Sequence, residues 1–440
     1  MSARSKYKVG MISLGCPRNL VDSESMLGRL VGKGYSVVDM PSADVGIVNT
    51  CAFIDDAKKE SIDVILDLID LKKEGRLKKI IVCGCLPQRY KKQLKKEFSE
   101  VDVFVGRSSL NHETKRFAIT PLHYAYIKIC EGCVNNCSYC VIPKIKGRFT
   151  SLDEPSALNK VASFSRQKIS ELNVIGQDIT GYGLDLYGAR RLPSLLKKIA
   201  REAKDIGWIR LLYLYPGPVI DEVLSVIKHN PKFCQYIDLP IQHINDRILK
   251  LMRRHTAKKE ILTLIEKVRR RLPEAAIRTS LIVGFPSESD RDFEELLAFV
   301  KAVRFERLGA FMYSREENTP AYNFKNQIPE AVKQKRYAAL MSTQREISRE
   351  LNQKFMGKII DVLIDEKENG RYLGRSQYDA PEVDGIVYVN AKDRLAPGDF
   401  VKVNITDTLE YDLVGEVTQP FLERTRVFQG RAGNKEGRAG

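Results

Sequence analysis

Cys133-Val134-Asn135-Asn136-Cys137-Ser138-Tyr139-Cys140 decides the reading of this chain. Three thiols at spacings of four and three on one loop can wrap a single metal cluster. Three ligands for a four-iron cluster leave one iron without a protein ligand, which is what substrate chemistry at a metal requires. Cys130 adds a second pairing, Cys130-x-x-Cys133 beside Cys137-x-x-Cys140, so a four-cysteine zinc site is the competing reading. Zinc knuckles usually stand alone, whereas this loop follows an apolar strand pattern with Cys130 inside it as a packing residue.

Around the loop, strand and helix patterns alternate six times. The strand runs are Ala125 to Cys130, Leu172 to Gln177, Trp208 to Tyr215, Tyr236 to Ile241, Ile277 to Phe285 and Arg307 to Tyr313. Six βα units over roughly 230 residues predict an open (β/α)6 partial TIM barrel, with reactive groups at strand C-terminal ends. Gln177, Asp178, Gln242 and His243 fall at such ends; for His243 a structural role competes with substrate contact.

Before the barrel, Lys8 to Gly15, Ser36 to Asp39, Asp44 to Thr50, Lys79 to Gly84 and Val101 to Gly106 read as strands, with helices near 22–33, 54–74 and 88–98. This predicts a small doubly wound sheet. Cys16, Cys51 and Cys85 each follow one of its strands, on the edge where such sheets bind ligands. Taken singly each is a small buried hydrophobe; their shared placement suggests a second cluster with an open iron. From about Gly357 the texture becomes all-β, and five short runs fit a small barrel.

Three of these stretches together resemble the methylthiotransferase family of the radical S-adenosylmethionine (SAM) superfamily. They are Gly15-Cys16-Pro17-Arg18-Asn19-Leu20-Val21-Asp22-Ser23-Glu24, Asn49-Thr50-Cys51-Ala52-Phe53-Ile54 and Gly84-Cys85-Leu86-Pro87-Gln88-Arg89-Tyr90. The loop with Tyr139 before its last cysteine resembles the superfamily's cluster loop, and Tyr378-Asp379-Ala380-Pro381-Glu382-Val383-Asp384-Gly385 also matches the family. The match covers about residues 7 to 420. It is closest to members that methylthiolate the β-carbon of an aspartate in ribosomal small-subunit protein twelve, giving 3-methylthioaspartate.

The resemblance implies a methylthiotransferase N-terminal domain over 7–118, a radical SAM core over 119–350, a TRAM domain over 353–421 and a basic, disordered tail over 422–440. It implies that Cys16, Cys51 and Cys85 ligate an auxiliary 4Fe-4S cluster and that Cys133, Cys137 and Cys140 ligate the SAM-cleaving one. Cys83, Cys130 and Cys234 are left as bystanders. Tyr139, Gln177 and Asp178 become candidates for SAM contact, and Gln242 and His243 for substrate contact. Two SAM per turnover and an electron donor such as flavodoxin or ferredoxin are further expectations. One departure is visible: the family often has arginine after the serine at 151, where this chain has Leu152.

Composition is consistent with this. The chain has 440 residues, 43% hydrophobic and 29% charged, which excludes a wholly disordered, collagen-like or coiled-coil chain. No apolar run approaches the roughly 18 residues of a spanning helix, and nine cysteines without a signal-like leader argue against a disulfide framework. A cytoplasmic monomer without membrane partner is expected.

The net charge of +16 suggests an acidic partner such as nucleic acid. Yet Lys354 to Thr418 holds eight Lys and Arg against thirteen Asp and Glu, a balance of −5. An acidic barrel repels a phosphate backbone and suits a basic ribosomal protein, with Glu382 and Asp384 as candidate docking charges. Two alternatives stay open: a tRNA adenosine methylthiotransferase, and a non-catalytic zinc-binding RNA module.

Overall fold

The computed structural model of the protein describes residues 7–108, 110 and 115–419. Lys8–Ser13 (β1), Ser36–Val37 (β2), Val45–Thr50 (β3), Lys79–Gly84 (β4) and Val103–Phe104 (β5) form a parallel sheet in the order β2-β1-β3-β4-β5. Pro17–Gly32 (α1), Asp55–Lys73 (α2) and Cys85–Glu97 (α3) are its crossovers. Every residue of β3 is buried, as a central parallel strand covered on both faces must be.

Two helices start earlier than their apolar periodicity shows. Pro17 presets the first turn of α1, so the helix begins there although Arg18 and Asn19 give no hydrophobic signal. α3 begins at Cys85 itself, directly after Gly84, whose φ of +97° turns the strand end into the helix. Both shifts place a cysteine at a helix start.

α1 also buries polar residues, including Asn19, Asp22, Ser23 and Glu24. Each is satisfied by its neighbours. The Asn19 amide donates to the carbonyls of Leu14 (3.1 Å) and Thr50 (3.0 Å), and Asn49 donates back to the Asn19 carbonyl and to Ser23 Oγ (both 2.9 Å). Glu24 accepts from Arg116 and from Thr120 Oγ1.

The barrel begins at Tyr124–Lys128 (β6). A short antiparallel pair, Cys130–Glu131 (β7) and Thr150–Ser151 (β8), brackets the cysteine loop and Ile142–Lys146 (α4). Glu154–Arg166 (α5), Glu171–Ile175 (β9), Leu184–Tyr187 (α6), Leu192–Glu202 (α7), Trp208–Leu211 (β10), Ile220–His229 (α8) and Tyr236–Asp238 (β11) follow. Asp246–Leu251 (α9), Lys258–Arg271 (α10), Ala276–Val283 (β12), Asp290–Val303 (α11) and Arg307–Met312 (β13) complete it. The strands pair in parallel as β10-β9-β6 and β11-β12-β13, with a bridge between Ile209 and Phe233 linking the triplets. β6 and β13 are outer strands, so the barrel is open. Alternate residues such as Ala125, Ile127, Leu172 and Val174 face the helices in the largest core, which turns Tyr124, Tyr126, Lys128, Glu171 and Asn173 to the lumen.

Glu330–Asn352 (α12) crosses to a closed five-stranded barrel: Ile359–Glu368 (β14), Arg371–Ser376 (β15), Val387–Asn390 (β16), Phe400–Thr408 (β17) and Leu413–Gln419 (β18), in the order β14-β15-β16-β18-β17. This small barrel stops the N-terminal end of the large one. Arg210 Nε donates to Glu171 (2.7 Å) and its Nη1 to the Gln377 carbonyl (2.8 Å), while Arg375 reaches the same Glu171 (2.6 Å). Arg307 Nε bonds Asp379 (2.7 Å), and Tyr236 donates to Asp384 (2.5 Å).

That contact corrects the docking expectation for Asp384. The Asp384 side chain is 4% exposed between Tyr236 and Arg278, whereas Glu382 accepts from Tyr124 (2.9 Å) and is still exposed. Glu366, Glu368, Asp393, Asp407, Glu410 and Glu416 remain exposed. The tail over 422–440 lies outside the described residues. No helix among the described residues is long and apolar enough to cross a membrane.

Candidate functional site

Because β1, β3 and β4 are consecutive in the sheet, the residues after their C-terminal ends are neighbours. Gly15 makes the approach close: with φ +87°, a Cβ there would lie 2.7 Å from Cys51 Cβ. Gly84 does the same on the other side, where a Cβ would lie 2.3 Å from Asn49 Oδ1. Cys16 is half-buried and Cys51 and Cys85 are buried, and each of the latter two feels the charge of Cys16. The Cys85 thiol donates to Asn19 Oδ1 (3.7 Å), the residue that staples α1 to the strand ends.

Their surroundings differ. Burial pushes the Cys85 thiol up to about 12 and raises Cys51 as well. Burial acts on Cys16 too, but the Arg18 guanidinium beside it prevails and holds this thiol below its ordinary value. Arg18 Nε donates to Cys16 Sγ at 3.3 Å.

The second triad hangs on one loop. Asn135 donates to Cys133 Sγ from its backbone N (3.4 Å) and its amide (3.6 Å), and the same amide donates to Asp178 (2.7 Å). Ser138 ties the far side to α9, its N to the Met252 carbonyl and its Oγ to the Leu251 carbonyl. Burial raises Cys133 to about 11 and Cys140 to about 12. Arg254 Nη1 stands 3.9 Å from Cys137 Sγ while its Nη2 donates to the Pro240 carbonyl (2.7 Å).

Both triads offer three thiol sulfurs, the donor set of an iron–sulfur cluster. Among the described residues no three His, Cys, Asp or Glu side chains close on one point as ligands of a single ion do. A cluster asks for wider spacing, because each sulfur binds its own iron. Cys130 does not complete a four-cysteine zinc site: its thiol donates to the Asp178 carbonyl (3.5 Å) and fills the space left by Gly176, where a Cβ would lie 2.4 Å from its Sγ. Cys83 and Cys234 are likewise buried, each raised to about 12 by desolvation.

The other candidates are placed as follows. Tyr139 packs edge-on against Phe285 beside Cys137. Gln177 donates to Glu131 (3.4 Å), and its Oε1 has no hydrogen-bond partner among the described residues. Asp178 spends its carboxylate on Thr180 N, Thr180 Oγ1 and Asn135, so it holds the cysteine loop. Gln242 sits at φ +74° at a strand end. His243 is fully buried, accepting from Asn245 N (3.0 Å), with Nε2 3.6 Å from Glu288 and without a hydrogen-bond partner among the described residues. Leu152 is fully buried in the barrel core.

Sequence reasoning missed the arginines, Arg18 and Arg254, and the four charges between the sheet and the barrel. Lys128 and Lys146 from the barrel side pair with Asp22 of α1 and Glu131 of β7, all of them buried. The signal was present in part, since Arg18 and Asp22 belong to one quoted motif, but nothing local marks their partners.

Comparison with known proteins agrees with this architecture. Family models match the uncharacterised protein family UPF0004 over residues 8–106, the radical SAM superfamily over 127–300 and the TRAM domain over 356–418. The solved radical SAM methyltransferase TsrM from Kitasatospora setae superposes with TM-score 0.53 at 13% identity, over 80% of this chain and 79% of its own, a likeness of fold. The ribosomal protein uS12 methylthiotransferase RimO of Clostridioides difficile is 46% identical over 93% of this chain and 98% of its own length. RimO of Citrifermentans bemidjiense is 46% identical over 95% and 100%. With its two cysteine triads, open barrel and closing β-barrel, the chain belongs to the RimO family of methylthiotransferases.

Proposed function

We propose that the chain is a radical SAM methylthiotransferase that adds a methylthio group to the β-carbon of an aspartate in ribosomal protein uS12. Membership of the RimO family supports the reaction and the substrate. The observation that carries the reading for these residues is that Arg18 bonds Cys16 of one triad while its charge reaches Cys140 of the other. Arg18, bonded to Cys16, also donates to the Gly176 carbonyl at the barrel mouth (3.1 Å).

In this reading Cys16, Cys51 and Cys85 hold the auxiliary 4Fe-4S cluster, and Cys133, Cys137 and Cys140 hold the SAM-cleaving one. When bound, the clusters and SAM supply one-electron reduction, hydrogen abstraction from an unactivated carbon and the methylthio group. The chain supplies position. Asn135 and Asp178 fix the loop, and the Lys128, Lys146, Asp22 and Glu131 set fixes the sheet against the barrel. Tyr139, beside Cys137, and Gln177, bonded to Glu131 ahead of the loop, are assigned to SAM, and Gln242 to the substrate.

A groove of about 560 Å³ whose lining includes Asn136, Asp246, Lys250, Arg253, Arg254 and Glu260 adjoins the cysteine loop. Lys250, Arg253 and Arg254 outnumber Asp246 and Glu260 there, a balance that suits an acidic one-electron carrier such as a flavodoxin or ferredoxin. A cytoplasmic monomer meets these requirements.

The test is anaerobic reconstitution followed by assay with uS12 and, separately, with tRNA. About eight irons per chain and a methylthioaspartate in uS12 are expected. Modified tRNA with unmodified uS12 overturns the substrate, and stoichiometric zinc without labile sulfide overturns the chemistry.

A further inference from the structure

Each triad has one arginine at one of its sulfurs, and both arginines rest on the same short segment of the barrel. Arg18 lies over the Tyr213 ring at 4.3 Å from its centroid, and Arg254 lies over the Tyr215 ring at 4.2 Å. Tyr213 and Tyr215 follow β10 directly, separated by the buried Leu214.

The segment is held in place at some cost. Tyr213 adopts φ +65°, a conformation that a bulky side chain rarely takes. Its backbone is clamped on both sides: its N donates to Asp238 Oδ2 (2.7 Å) and its carbonyl accepts from Ile179 N (3.2 Å). Leu214 N donates to the Asp238 carbonyl (3.0 Å), and Tyr215 Oη accepts from His255 N (3.2 Å), next to Arg254. Strain that the surroundings over-determine marks a position with a job.

We propose that Arg18 is a positioning residue for the auxiliary cluster. Held on Tyr213 as Arg254 is held on Tyr215, it fixes that cluster against the barrel and stabilises its more negatively charged state. Three contacts give Arg18 this reach: the Cys16 sulfur, the Gly176 carbonyl and the Tyr213 ring. Its charge extends to Cys140 of the other triad. A guanidinium bonded to a cluster sulfur favours the reduced, more negative cluster and so raises its potential. The inference rests on cluster binding by both triads, as proposed above, and does not depend on which substrate is modified.

The experiment uses the full chain carrying Cys133→Ala, Cys137→Ala and Cys140→Ala, so that only the auxiliary cluster is loaded on anaerobic reconstitution. Iron and sulfide are counted and the cluster couple is titrated by electron paramagnetic resonance. Arg18→Gln is expected to lower the potential by about 59 mV, a tenfold change in the reduced-to-oxidised ratio of a one-electron couple. Arg18→Lys is expected to recover most of the shift. Tyr213→Leu, which keeps the charge and removes its platform, shifts the couple the same way by less, and Tyr213→Phe leaves it unchanged.

In the complementary background lacking Cys16, Cys51 and Cys85, Arg18→Gln is expected to move the remaining couple less than Arg254→Gln does. Loss of the auxiliary irons in Arg18→Gln, with recovery in Arg18→Lys, also supports the proposal. An unchanged couple in Arg18→Gln, or iron loss that Arg18→Lys does not restore, overturns it. Absence of any cluster in the parent triple variant overturns the auxiliary-cluster reading instead, so the two failures are distinguishable.

Discussion

The two cysteine triads are built in opposite ways. Cys133, Cys137 and Cys140 sit within eight residues, shaped by Asn135 and anchored by Ser138. Cys16, Cys51 and Cys85 come from three adjacent strand ends and meet only when the sheet has formed, with Gly15 and Gly84 clearing the space. A local triad depends on one loop; a dispersed triad depends on the whole domain's register. Damage to the first is therefore expected to be chemical and confined, and damage to the second to be coupled to folding.

The sharpest way to break this comparison is to remove one sulfur from each. Cys137→Ala should abolish SAM cleavage, whereas Cys51→Ala should retain it and abolish methylthio transfer, each losing about four of eight irons. Product analysis that found the two variants indistinguishable would undo the division of labour.

Next in size is the buried charge set between the domains. Lys146→Met strands Asp22 and Glu131 with one cation fewer, and about 3–5 kcal/mol of stability should be lost in denaturant unfolding, because an unpaired buried charge stays desolvated. A loss below about 1 kcal/mol would mean that the four charges do not clamp sheet to barrel. Gly15→Ala sets the dispersed triad alone under strain: its φ is +87° and the new methyl meets Cys51, so about 1–3 kcal/mol should be lost, along with auxiliary iron but not loop iron. Equal iron loss at both sites would refute the separation.

The smallest effect lies away from both triads and serves as the control. The Asp365 carboxyl is half-buried, its side chain 21% exposed, yet held below the usual carboxylate range, because bonds from His123 (2.7 Å) and Arg375 outweigh desolvation. Its contribution is present above about pH 4, the unfolded value, and fades as pH falls through the lower folded value. Melting between pH 5 and pH 3 should therefore fall more steeply in the parent protein than in Asp365→Asn. Parallel curves would remove Asp365 from the small barrel's docking.

What could be read in advance follows the same divide. The cysteine loop, the alternation of strands and helices and the five terminal strands are local patterns, and they are legible because spacing and periodicity are properties of a few consecutive residues. Arg18, Arg254 and the partners of Asp22 were invisible because their meaning lies across long separations: Arg18 reaches Gly176, and Asp22 reaches Lys128 and Lys146. Asp384 misled for the same reason. Composition counted it as an acid of a separate barrel, while the fold spends it on Tyr236 and Arg278.

The stopper at the N-terminal end of the large barrel has a consequence for how the chain is made. Arg210 and Glu171 pair with each other inside the large barrel, but their remaining bonds, and that of Arg307, go to Gln377, Arg375 and Asp379, which are translated long afterwards. During synthesis the large barrel must wait, with its charges hydrated and that end unsealed, until the last fifth of the chain has emerged. Nascent chains stalled before that stretch should be open to protease at the barrel strands, and completion of translation, rather than of the barrel itself, should be the moment at which they become resistant.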